Sequence, residues 1–239
     1  MTTALITWGG WDGHEPDKVA QLFRNLLERE GMQVEVTDTL DCFDDPARLK
    51  SLDLIVPVWT MSTLTRERAT HVSNAVGAGT GLAGCHGGMC DAFRDNVLWQ
   101  FMTGGNWVAH PGGDGVEYDV RIIRPDDELV AGLQNFSVTS EQYYLHVDPA
   151  VTVLAETTFP TVNWYHAANG PVNMPVAWTK MWGLGRVYYN ALGHQADVID
   201  HGEALEMLRR GLIWAAKGKA HAATNGLSAD AFQSEGNHF

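Results

Sequence analysis

One short run sets the architecture of this chain. Gly84-Cys85-His86-Gly87-Gly88-Met89-Cys90-Asp91 follows an apolar, strand-like segment and opens a helical one. A sharp strand-to-helix turn of this kind lifts one side chain above an α/β sheet, with small residues two positions to either side. Gly84 and Gly88 frame position 86. A covalent enzyme places Ser or Cys there, whereas this chain places His86, with Cys85 one residue too early. The motif thus points to a fold while weakening the covalent activity that usually goes with it.

The flanking pattern agrees. Ala4–Trp8 reads as a buried first strand, and Val19, Leu22, Phe23, Leu26 and Leu27 fall on one face of a helix opened by Pro16 and stopped by Gly31. Strands are expected at 33–37, 52–58 and 79–85. Thr65 caps the intervening helix, and a helix continues over 92–102. Strands and helices alternating at this spacing predict an α/β fold, a doubly wound and mostly parallel sheet covered on both faces. After residue 105 the rhythm changes. Val116–Ile122, Val151–Ala155, Val172–Thr179 and Val187–Leu192 read as added strands. Asp200 and Glu203 form a capping box for a last helix, and residues 218–239 read as a polar tail behind a single domain.

Composition excludes several classes. A net charge of -13 disfavours nucleic acid, which needs basic patches. No apolar run approaches the roughly 20 residues of a membrane span. The N-terminus lacks a secretory pattern, and three cysteines cannot all pair, so a cytoplasmic location is expected. Gly9-Gly10-Trp11-Asp12-Gly13 lacks both G-x-G-x-x-G and the Walker lysine, so no nucleotide cofactor is expected.

In open α/β sheets, ligands bind beyond the carboxyl ends of the strands. His14, His86 and His194 each follow such an end, and His110 lies in a Gly/Pro-rich loop that could reach them. Glu141 and Tyr143 are further polar candidates. Imidazole at such a rim ligates a divalent metal or moves protons near neutral pH. Trp11, Trp107, Trp164 and Trp178 fall near the expected rim, where aromatic faces stack on sugar rings. Cys85 is expected to fill space within the sheet.

Together these stretches resemble the ThuA-like, trehalose-utilisation family of the class I glutamine-amidotransferase-like superfamily. The resemblance rests on Trp8-Gly9-Gly10 through His14-Glu15, on Gly84–Gly88, on Val108–Pro111, and on Pro175–Thr179 with Gly185–Tyr189 and Ala191–His194, across residues 3 to about 217. It implies a three-layer, flavodoxin-like sheet. Amidotransferases of the superfamily need an elbow Cys and a His-x-Glu pair. Here His86 replaces the thiol and Asp197 stands three residues beyond His194, so glutaminase chemistry is disfavoured.

The resemblance also implies sugar catabolism, with a small sugar as substrate and a sugar oxidoreductase as a pathway partner. The expected substrate is a keto-sugar or 3-keto-glycoside, which reacts by proton abstraction leading to elimination, isomerisation or hydrolysis. Catalytic roles fall to His86, His194 and Glu141, and substrate contacts to Trp11, His110, Tyr143 and Trp178. A zinc or manganese ion would be held among His14, His86, His110 and His194. The alternative is a non-catalytic carbohydrate- or partner-binding module. Enzymes of this type often pair through hydrophobic faces, so a homo-oligomer is also an expectation.

Overall fold

The computed structural model describes residues 1–232. The first half alternates as the apolar pattern requires: β1 (Thr3–Gly10), α1 (Pro16–Arg29), β2 (Gln33–Thr37), α2 (Pro46–Ser51), β3 (Leu54–Thr60), α3 (Arg66–Gly77) and β4 (Gly81–Cys85). Next come α4 (Gly87–Cys90), α5 (Val97–Thr103), β5 (Gly105–Ala109), β6 (Val116–Ile122), β7 (Phe136–Ser140) and β8 (Tyr144–Val147). The chain continues through β9 (Thr152–Phe159), β10 (Val172–Trp182), β11 (Gly185–Asn190), α6 (Ala196–Ile199), α7 (Gly202–Ala216) and α8 (Gly218–Thr224).

Among the described residues, nine strands form one sheet in the order β2-β1-β3-β4-β11-β10-β9-β6-β7. The run from β2 to β11 is parallel, and the rest is antiparallel. Leu5 and Ile6 point to opposite faces of β1, and both are fully buried, as expected of a parallel strand covered on both sides. Right-handed crossovers place α1 on one face and α3 on the other, because β1-to-β2 and β3-to-β4 run in opposite directions across the sheet. The chain reverses direction between β1 and β3. A crevice therefore opens at their carboxyl ends. Among the described residues, no helix is long and apolar enough to cross a membrane.

Three expectations need correction. The helix expected over 92–102 is interrupted. Met61 N donates to Asp91 O and Phe93 N donates to Met61 O, each at 2.9 Å, so this backbone pairs with the end of β3 instead of coiling. A new helix begins only where Asn96 Oδ1 accepts from Trp99 N. The capping box at Asp200 does not form. Asp200 N donates to Ala196 O and so closes α6, while α7 begins after His201 without a side-chain cap. The segment read as a tail starts as α8, which buries Ala222 and ties Lys219 to the Lys50 and Leu52 carbonyls. The last part of that tail, 233–239, lies outside the described residues.

Helix α7 lies close to the sheet because Gly211 faces Tyr188. A Cβ at position 211 would sit 2.2 Å from the Tyr188 ring, whose hydroxyl donates to Met207 O at 3.0 Å. Gly211→Ala should therefore overpack this contact and lower stability by about 1–3 kcal/mol. In urea unfolding the midpoint should fall with an unchanged slope.

Candidate metal centre

His86 follows directly on β4 at the carboxyl edge of the sheet, and its backbone is strained. Its φ of 45° and ψ of -138° lie outside the ordinary regions for a residue with a Cβ, a conformation that costs on the order of 1–3 kcal/mol. Strand β11 and the residue after it oppose that cost. His86 N donates to Asn190 O at 2.7 Å, its ring Nδ1 to Ala191 O at 2.7 Å, and Tyr189 OH to His86 O at 3.2 Å. The ring stacks on Tyr143 with centroids 3.9 Å apart.

Two more histidines arrive from neighbouring strand ends. His14 closes the turn after β1, and its Nδ1 lies 2.8 Å from Thr60 Oγ1 at the end of β3. Gly87 makes this approach possible, since a Cβ there would lie 2.4 Å from the His14 ring. His194 follows β11 through Gly193, whose φ is 114°. Glu141 comes from the antiparallel side, between β7 and β8, where Tyr118 OH donates to its carbonyl at 3.1 Å. All four side chains are buried.

The carboxylate meets the imidazoles at short range. Glu141 Oε2 lies 3.1 Å from His86 Nε2, 3.3 Å from His194 Nδ1 and 3.7 Å from His14 Nε2. The hydrogen-bond partners fix the protons. A carbonyl only accepts, so His86 Nδ1 carries the hydrogen that reaches Ala191 O. Burial pushes the His86 pKa down to about 4, which leaves the ring neutral and Nε2 bare near pH 7. A bare nitrogen therefore faces a carboxylate oxygen. His194 Nδ1 is buried as well and has no hydrogen-bond partner among the described residues. Burial alone would raise the Glu141 carboxyl, but the imidazoles of His14 and His194 outweigh it and hold it well below the usual carboxylate range. The same carboxylate raises His194.

Lone pairs crowded in this way suit a cation. The ligand atoms of His14, His86, Glu141 and His194 all lie within 4.8 Å of one another. Tetrahedral zinc ligands at about 2.0–2.1 Å from the ion are roughly 3.3 Å apart, and the cluster brackets that spacing. Thr60 and Ala191 would orient two of the rings from outside, the usual role of a hydrogen-bonded neighbour to a ligating imidazole.

The structure sorts the other expected residues. His110 is not among these four ligands; its Nδ1 lies 3.6 Å from Glu141 Oε1 and its side chain is 35% exposed. Trp11 is exposed, with its ring edge-on to His14 at 4.8 Å between centroids. Tyr143 is buried behind His86, so its ring supports the site from beneath. Trp178 is not at the rim at all. It is fully buried in mid-strand β10, donates from Nε1 to Thr103 O at 3.0 Å and packs on Tyr189. Thr60 and Tyr118 were missed. Thr60 ends a strand beside the crevice and could have been found by the rule that located the histidines; nothing in the sequence marks Tyr118. A cavity of about 1100 Å³ lies elsewhere, walled by residues such as Leu64, Trp182 and Phe232.

The trehalose utilisation family, ThuA, matches residues 3–215. This chain belongs to the ThuA family. A ThuA-like protein from Bacteroides uniformis shares 17% identity over 90% of this chain and 91% of its own, with a TM-score of 0.69. One from Parabacteroides merdae shares 19% over 92% and 91%, with a TM-score of 0.68. A β-galactosidase from Bacillus circulans shares 14% identity and a TM-score of 0.56 over 95% of this chain but only 32% of its own. These likenesses are of fold. No curated protein matches the sequence.

The ThuA elbow here carries no usable thiol. Cys85 is buried beneath Gly193, where a Cβ would lie 2.9 Å from Sγ, and burial pushes its pKa up to about 12. Burial raises Cys42 to about 11 and puts Cys90 well above its ordinary value. Thiolate is the reactive form. Iodoacetamide at pH 8 should therefore label none of the three in native protein and all three after denaturation, as read by mass spectrometry.

Proposed function

We propose that this ThuA-family protein acts in sugar catabolism on a keto-sugar or 3-keto-glycoside, by abstracting a proton beside the ketone. The observation that carries this reading is the convergence of three imidazoles, His86 with its Nε2 bare, on one buried carboxylate at the sheet's carboxyl edge. His14, His86, His194 and Glu141 would hold a divalent metal, zinc or manganese. When bound, such an ion supplies Lewis-acid stabilisation to an enolate oxygen.

The protein's own groups do the rest. His110 stands beside the cluster, with Nδ1 turned to Glu141 and the remainder of its ring partly open. Its Nε2 takes the proton from the carbon next to the ketone, and Glu141 steadies the resulting imidazolium across 3.6 Å. In a 3-keto-glycoside that carbon is C2. The released electron pair forms the C1=C2 bond, and the glycosidic oxygen departs from C1 with a proton returned by His110. Isomerisation returns the proton to a neighbouring position instead. Both routes conserve electrons, so the ketone comes from an earlier oxidation, the task of a partner oxidoreductase. Tyr143 holds the His86 ring in place, and Trp11 covers the His14 side.

The test uses protein purified from metal-supplemented cells, with metal content and turnover of a 3-keto-glycoside measured together. Wild type should carry about one ion per chain, and EDTA should abolish turnover. His86→Ala should lose the ion and at least about 100-fold in rate, within the range that loss of acid–base groups or ligands produces. Full activity in metal-free wild type contradicts the metal centre. Sugar affinity without turnover contradicts the catalytic reading and leaves a carbohydrate-binding module.

A further inference from the structure

A cleft of about 490 Å³ opens beside His110, outside the four-ligand cluster. Trp107 and His110 form one wall, and Val162, Asn163 and Trp164 form another. The second wall is a loop held in one position by its own packing. His166 lies 4.6 Å from Tyr144 and 5.4 Å from Phe159, centroid to centroid, while Ala167 N donates to Trp164 O at 2.8 Å. Trp164, which lines the cleft, is 53% exposed.

The electrostatics of the cleft are as informative as its shape. Among the described residues, no Lys, Arg, Asp or Glu lines it, and His110 is its one titratable side chain. Arg94 lies 4.3 Å over the Trp107 ring, and its charge is taken up by Asp91, with Nε 2.5 Å from Oδ1 and Nη2 2.9 Å from Oδ2. A phosphorylated or carboxylated sugar would find no free partner here, in a chain whose net charge is -13. An uncharged ring would find flat indole surface, the Asn163 amide for its hydroxyls, and His110 at the end nearest the reacting centre.

We propose that this cleft is the subsite for a neutral, unphosphorylated pyranose ring, with Trp164 as its stacking platform and as a specificity-determining residue. The subsite rests on the carbohydrate reading of the site, and it excludes sugar phosphates by the absence of any uncommitted cation. Trp164 touches the ring and does not reach the reacting carbon, so its loss should raise KM more than it lowers kcat.

Calorimetric titration of the full chain tests this with methyl α-glucopyranoside and with glucose 6-phosphate, with metal content measured on the same samples. The neutral glycoside should bind at least about tenfold more tightly than the phosphate. Trp164→Ala should weaken it by about tenfold, and Trp164→Phe should restore most of the loss. Equal or tighter binding of the phosphate, unchanged affinity in Trp164→Ala, or no binding of the neutral glycoside by wild type overturns the subsite. The pattern should also hold in metal-free samples, because the cleft lies outside the four-ligand cluster.

Discussion

The grip of β11 on His86 is the contact on which the site depends. A residue with a Cβ does not choose a φ of 45° and a ψ of -138°. It is held there by the Asn190 carbonyl, the Ala191 carbonyl and the Tyr189 hydroxyl, from two residues of one strand and the residue that follows it. Each such bond is worth about 0.5–1.5 kcal/mol net, so together they match the strain. The same strand leads through Gly193 to His194. The element that fixes the first imidazole therefore also delivers the third. Because β11 lies beside β4 in the parallel sheet, the elbow and its clamp form as one unit.

The second constraint is electrostatic. The turn after β7, on the antiparallel side, carries Glu141 over the parallel half's rim. A buried carboxylate needs hydrogen bonds or counter-charge, yet His86 turns a bare nitrogen towards it and His194 Nδ1 is unpartnered. A divalent cation would satisfy all of these lone pairs at once. Its binding would also stabilise the folded chain by mass action, since the ligands come together only on folding. His110 belongs to the same arrangement at one remove: it faces the carboxylate on one edge and the aromatic cleft on the other.

Much of this was legible in the sequence, for reasons that can be assigned residue by residue. The strand-end rule located His14, His86 and His194 because parallel strands end together at one rim. The double glycine after His86 marked a tight turn. The ThuA resemblance and the three-layer sheet agree with the family match over residues 3–215. What misled was local pattern without its tertiary competitor. Trp178 looked like a rim residue because β10 runs further than its apolar core suggests. Residues 92–96 looked helical because the competing partner, Met61, lies some thirty residues away. Thr60 and Tyr118 act through hydrogen bonds made only by the fold.

The central claim is that three imidazoles and one carboxylate, with no sulfur, surround a divalent ion. X-ray absorption at the K-edge of the metal in purified wild-type protein measures this directly. The account predicts a first shell of nitrogen and oxygen only, with the outer-shell scattering of three imidazole rings, and one ring fewer in any ion that His194→Ala retains. A sulfur scatterer at about 2.3 Å, or a fully hydrated ion without imidazole scattering, would contradict it.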